Sequence, residues 1–326
     1  MIIVTGGAGF IGSAFVWKCN QEGREDILIV DTLKTSEKWR NLVGLSYADY
    51  IHKDVFIERL IDGDYDESDI EAIVHMGACS ATTELDADYL MENNYRYTQI
   101  LAEWCVDNDV RFIYASSAAT YGNGENGFED NIDKLSALRP INRYGYSKQF
   151  FDLQAMRSGL SKNIVGLKFF NVFGPNEYHK DDMRSVVCKA HKQILETGEI
   201  KLFKSYRTDY VDGGQKRDFV YVKDCVEIMW WLLNTPTCHG VFNIGTGQAR
   251  TWNELASAVF AAMNITPNIT YIPMPESIQS QYQYFTQASM TKLQDAGCPI
   301  RCRPLEEAVQ DYVKTYLNSQ AYLDLV

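Results

Sequence analysis

The sequence predicts an α/β fold built on a doubly wound parallel sheet, and three observations predict it. Short β-branched runs alternate with longer amphipathic stretches through the first half of the chain. A cluster of glycines, Gly6 to Gly12, directly follows the first of those runs. The 326 residues, 46% hydrophobic and 23% charged, suffice for one large α/β unit carrying a smaller lobe and leave no room for a long disordered tail.

In chain order the strand candidates are Ile2 to Val4, Ile27 to Val30, Ala72 to His75, Arg111 to Ala115 and Ile164 to Phe169. Their alternation with helical patterns implies a sheet covered on both faces. Between them, Met91 to Val106 and Tyr144 to Arg157 are long enough for the right-handed crossovers that parallel neighbours require. After Pro175 the rhythm breaks into a charged, irregular segment. Asp218 to Val222 and Gly240 to Ile244 then flank a helix rich in Trp230, Trp231 and Leu232, so the two lobes are expected to interleave. Residues 1–171, with 218–246 returning to them, form the larger lobe; 172–217 and 247–326 form a smaller α/β substrate lobe. Beyond Pro267 come Pro273, Pro275 and several tyrosines, then a last amphipathic helix, Pro304 to Leu317, expected to cap a substrate.

The bulk numbers exclude several classes. A net charge of −12 argues against a nucleic-acid partner, which a basic stripe would announce. Eight cysteines without a C-x-x-C pair suggest neither zinc nor a disulfide framework, but reduced thiols in a cytoplasmic setting. The first residues lack a basic signal region and run straight into glycines. Val226 to Leu233 is interrupted by Glu227 and far shorter than the roughly 20 residues of a membrane span, so no membrane insertion is expected.

Gly7, Gly9 and Gly12 satisfy G-x-G-x-x-G between a strand and a helix, and Gly6, Gly9 and Gly12 give the wider G-x-x-G-x-x-G spacing. One glycine turns the chain, one lets the backbone approach a pyrophosphate, and one lets helix and strand pack, with the helix N-terminus facing the negative charge. This makes the sheet Rossmann-type and the ligand a dinucleotide. Nineteen residues after Gly12, Asp31 ends the second run, where a carboxylate accepts hydrogen bonds from an adenosine ribose and favours NAD. Lys34, Lys38 and Lys53 nearby could neutralise a 2′-phosphate, so NADP stays open.

Tyr144 and Lys148, in YGYSK, stand one helical turn apart on the same face. A phenol with an ordinary pKa near ~10 is a poor base at neutral pH, and an adjacent ammonium would favour its phenolate. Upstream, YASSAATYG leaves a strand at its carboxyl end, and Ser117 there is the expected partner of Tyr144, sharing a substrate oxygen. Ser116 and Thr120 read as turn or supporting residues. Ala118 and Ala119 supply no carboxylates for elimination, which leaves simple redox or epimerisation.

MIIVTGGAGFIGS, HMGACSATTE, ENNY, YASSAATYG, YGYSK, FFNVFGP followed by His179 and Lys180, KRDFVYV, FNIGTG and YQYFTQA together resemble the ADP-heptose 6-epimerase family of extended short-chain dehydrogenases/reductases, from about Met1 to Leu317. The resemblance implies oxidation of an ADP-heptose at C6″ to an aldehyde and reduction on the other face, interconverting ADP-D-glycero-D-manno-heptose and its L-glycero epimer for lipopolysaccharide core synthesis. It implies two proton-handling groups, Tyr144 for one epimer and Lys180 for the other. It tips the cofactor towards NADP, one tightly held per subunit, and implies a homo-oligomer, typically a pentamer. On the cofactor side it points to Gly6, Gly9, Phe10, Ile11, Gly12, Asp31, Thr32, Lys38 and Lys53, and to Met76, Gly77, Ala78, Cys79, Ser80, Asn93, Lys148, Val172 and Lys180. On the substrate side it points to Ser117, Asn171, Asp182, Lys189, Phe203, Arg217 and Tyr282. Asp182 and Lys189 stand where the family has serine and histidine. A different nucleotide-sugar epimerase or reductase, such as a UDP-hexose 4-epimerase, is the alternative; it shares every motif except the His179–Lys180 neighbourhood. A non-catalytic nucleotide sensor would not need Ser117, Tyr144 and Lys148 together.

Overall fold

The computed structural model describes residues 1–279 and 282–325. Twelve strands are present among them: β1 (Ile2–Thr5), β2 (Ile27–Asp31), β3 (Asp49–His52), β4 (Ala72–His75), β5 (Arg111–Ser117), β6 (Val165–Phe169), β7 (Asn171–Phe173), β8 (Ile200–Phe203), β9 (Lys216–Tyr221), β10 (Gly240–Ile244), β11 (Ala249–Thr251) and β12 (Ile269–Ile272). Seven form one sheet in the order β10-β6-β5-β4-β1-β2-β3, parallel at every pairing. All four residues of β1 and all five of β2 are buried, the consequence of apolar runs covered on both faces. One face carries the helices Phe10–Gln21 and Val222–Leu233. The other carries Lys53–Asp62, Tyr97–Asp107 and Arg143–Ser158.

β1 lies between β2 and β4, so the strand order reverses there and opens a crevice at the carboxyl ends of β1 and β4. β3 has no counterpart among the strand candidates. It is an edge strand with no buried residue, so it lacks an apolar pattern.

The segment expected to rejoin the large sheet from Asp218 onward divides. β10 takes the free edge of β6, and that edge accepts only one neighbour. β9 pairs instead with β7 in parallel and β11 in antiparallel fashion, in a separate three-stranded sheet. β12 and β8 make a parallel pair. The last helical stretch also departs from expectation. Leu305–Asp311 buries Leu305, Ala308 and Val309, and continues into a π-helical turn, Tyr312–Leu317. It packs on the helix Trp252–Ala262 and faces the core rather than a substrate. Among the described residues no helix is long and apolar enough to cross a membrane.

Candidate active site

A cleft of about 930 Å³ opens over the carboxyl ends of β1, β4, β5 and β6 and is closed on its far side by β9, Trp252 and Tyr282. Its floor is the glycine turn. Gly6 sits at φ 65°, a left-handed conformation suited to glycine. A Cβ on Gly12 would strike the carbonyl oxygen of Gly6. Gly9 is the N-cap of the helix Phe10–Gln21, and no side chain caps it, which leaves the first-turn N–H groups available to an anion. Asp31, at the end of β2, accepts from the Ala8 backbone N–H at 2.9 Å, the Thr32 N–H at 2.6 Å and the Lys38 ammonium at 2.5 Å. Lys34 and Ser36 line the cleft beside them.

Tyr144 and Lys148 stand on the helix Arg143–Ser158, whose start is fixed by Asn142: its Oδ1 accepts from the Gly145 N–H at 2.7 Å. Both face the cleft together with Ser117 at the end of β5. Burial is the largest influence on the Tyr144 phenol and raises its pKa, while a hydrogen bond with Ser117 opposes it. Burial lowers Lys148 to about 8, against the attraction of Asp152. The Lys148 ammonium also donates to the Ala115 carbonyl at 2.8 Å, pinning its helix to β5.

Lys180 comes from a turn after β7, Tyr178–Met183, and its Nζ lies 5.3 Å above the Phe10 ring. Burial lowers its pKa, with Glu177 opposing. The turn is tied to the glycine floor through two asparagines. Asn41 Nδ2 donates to the Ala8 carbonyl at 2.9 Å and the Asn176 carbonyl at 3.1 Å, and lies 3.3 Å from His179 Nδ1. Asn176, fully buried with φ 73°, donates to Ser13 Oγ at 3.0 Å and accepts from the Leu323 N–H at 2.9 Å. Asp181, directly after Lys180, has φ 45° and ψ −119°, a conformation costly for any side chain.

On the far wall, the Arg217 guanidinium stacks 5.7 Å from the Trp252 ring and 5.3 Å from the Tyr282 ring, and Trp252 Nε1–H donates to the Tyr282 hydroxyl at 2.9 Å. Arg217 is 6% exposed, and no carboxylate bonds it among the described residues.

Most residues singled out in the sequence meet here: Gly6, Gly9, Phe10, Ile11, Gly12, Asp31, Thr32 and Lys38; Met76 to Ser80; Ser117, Tyr144, Lys148, Asn171, Val172, Lys180, Arg217 and Tyr282. Five do not line the cleft. Lys53 donates to Asn93 Oδ1 at 2.8 Å, and Asn93 reaches the cleft only through Asn94, which accepts from the Cys79 N–H. Phe203 lies behind Tyr282, 6.2 Å between ring centres. Lys189 turns back to the Asp182 carbonyl at 3.0 Å, and both are exposed. Trp252 was missed. Its signal was the T-x-x-E of Thr251 and Glu254, which forms a capping box and starts a helix at Trp252.

Residues 2–245 match the model of the NAD dependent epimerase/dehydratase family. An ADP-L-glycero-D-manno-heptose-6-epimerase of Nitratidesulfovibrio vulgaris (strain DP4) is 61% identical over 317 residues, 97% of this chain and 98% of that one. The protein of that name from Fusobacterium nucleatum is 50% identical over 329 residues, 98% of this chain and 99% of its own. The crystal structure of the Helicobacter pylori ADP-L-glycero-D-manno-heptose-6-epimerase superposes with a TM-score of 0.79 at 28% identity, covering 98% of this chain and 96% of that one. With a glycine floor, a Ser117–Tyr144–Lys148 cluster and these full-length matches, the chain belongs to the NAD dependent epimerase/dehydratase family and, within it, to the ADP-L-glycero-D-manno-heptose-6-epimerases.

Proposed function

We propose that the chain epimerises ADP-glyceromanno-heptose at C6″, by transient oxidation to an aldehyde and reduction on the opposite face. The observation that carries the reading is the presence of two titratable groups, Tyr144 and Lys180, both half-buried, in one cleft that also holds Ser117. The hydride leaves one face of the carbinol and returns to the other, so a reoriented oxygen can meet a different proton-handling group on each side.

A nicotinamide dinucleotide fits the floor: the close packing of Gly12 on Gly6 keeps the turn tight beneath the helix start, which is uncapped and offers its N–H groups to a pyrophosphate. When bound it supplies a reversible acceptor and donor of hydride. Gly9 to Gly12 would hold its pyrophosphate, and Asp31, Thr32 and Lys38 its adenosine ribose. NADP is the favoured form. The Asp31 carboxylate already takes three protein donors, and Lys38 and Lys34 offer charge to a phosphate. Tyr144, beside Ser117, would take the C6″ hydroxyl proton of one epimer, and Lys180, as the ammonium, would give a proton to the reoriented aldehyde oxygen when the other epimer forms; in the opposite direction the two roles exchange. Arg217, buried and with no carboxylate bonded to it among the described residues, suits a diphosphate. We assign the cofactor to the large sheet with its helices and the sugar to the lobe of β7, β9 and β11.

The test is to incubate the purified protein with ADP-D-glycero-D-manno-heptose, without added cofactor, and follow the C6″ proton by NMR. Conversion with no net redox supports the reading; a static spectrum alongside turnover of a UDP-hexose overturns it. Mass analysis of the released dinucleotide decides between NADP and NAD.

A further inference from the structure

We infer that the buried Asp152–Lys168 pair is a positioning device for the reaction, clamping the Tyr144–Lys148 helix and the Ser117 strand end into one frame. The inference rests on the function proposed above.

Both side chains are fully buried, 0% exposed, and Lys168 Nζ lies 2.6 Å from Asp152 Oδ2. Buried ion pairs are poor sources of stability, since well-packed apolar residues of similar volume often serve as well. What this pair joins is more telling. Asp152 follows Lys148 by four residues and Tyr144 by eight, on the same face of one helix. Its carboxylate accepts from the Tyr114 hydroxyl at 2.9 Å and the Ser116 hydroxyl at 2.8 Å, both on β5. Lys168, on β6, also donates to Thr120 Oγ1 at 2.7 Å, and Thr120 donates in turn to the Ser117 carbonyl at 2.8 Å. Ser117 is therefore held from both sides, by its neighbour's side chain and by its own carbonyl. Both routes converge on the pair.

The carboxylate also acts by its charge. Lys148 faces Asp152 from its own helix, and Cys79 and His75 from β4 and the loop after it. Tyr144 faces Ser117, Cys79 and Asp152. Asp152 raises the proton affinity of both Lys148 and Tyr144, so its removal lowers both.

Removing one partner alone strands a buried charge, so the test uses the double variant Asp152→Asn/Lys168→Met, which is neutral and similar in volume. The expected result is a folded protein that retains its dinucleotide. Its kcat falls at least about tenfold, as misplaced reacting groups demand, while KM stays within about twofold. A kcat loss with KM and dinucleotide retained is a split that a merely structural role would not produce. A folded double variant with the parent kcat overturns the inference. If the double variant does not fold, Ser116→Ala and Thr120→Val decide. Each cuts one route to Ser117 and leaves the ion pair in place, so each is expected to lower kcat several-fold, and parent kcat in both overturns the inference. All readings are relative to the parent on ADP-heptose. An inactive parent would therefore count against the proposed function, not against the clamp.

Discussion

Lys180 and Phe10 meet across the cleft, ammonium over ring at 5.3 Å, although 170 positions separate them in the chain. A cation over an aromatic face is stabilised as the cation, and Glu177 acts in the same sense. Burial works against both, lowering the pKa and easing release of the proton. Replacing Lys180 with alanine should lower epimerisation by about 10²-fold or more while the dinucleotide stays bound. Initial rates from each epimer, with cofactor content by absorbance, check this; undiminished rates in both directions would remove Lys180 from the mechanism.

Ser117 and Lys148 should each shape the pH profile. The Ser117 hydroxyl favours the Tyr144 phenolate, whose pKa burial holds above the ordinary value, so kcat/KM should rise with pH across the neutral range and Ser117→Ala should lower it there. Lys148, lowered to about 8 by burial, loses its proton as pH rises past that value, which should flatten the rise. Lys148→Arg should remove that flattening, because a guanidinium does not titrate there. Measuring kcat/KM between pH 6 and pH 10 tests both.

Gly12→Ala should cost the protein its dinucleotide. The new methyl would meet the Gly6 carbonyl, displacing the turn at an expense of about 1–3 kcal/mol of stability. Thermal melting with and without added NADP should show a lower midpoint and a smaller rescue than in the parent.

Arg217→Lys keeps the charge and loses the stacking plane between Trp252 and Tyr282. KM for the nucleotide sugar should rise about tenfold with kcat little changed, the mark of binding used equally in ground and transition states. A fall in kcat of similar size, with KM unchanged, would instead place Arg217 at the reacting carbon.

The legible part of this molecule was what local chemistry dictates. The glycine turn, the end of β2 at Asp31 and the helical spacing of Tyr144 and Lys148 follow from short stretches of chain, and all three lie where their spacing put them. What the sequence hid depended on distant partners. β9 looks like any apolar run, and only the occupation of the β6 edge by β10 decides that it belongs elsewhere. The tie from Asn41 to Asn176 spans 135 positions, and no pattern in either neighbourhood announces it. The bond from the Lys148 ammonium to the Ala115 carbonyl joins positions 33 apart, and no local pattern announces it.

The position of β10 also bears on how the protein can be divided. A fragment ending near Asn171 would contain the glycine floor, Ser117, Tyr144 and Lys148, yet it would present Val165 to Phe169, every residue buried in the intact protein, as an open strand. Such an edge invites pairing with other copies, so this fragment should precipitate or self-associate rather than bind nucleotide. The large sheet is independent in appearance only; its β6 edge is covered by a strand that comes after β7 and β9 in the chain.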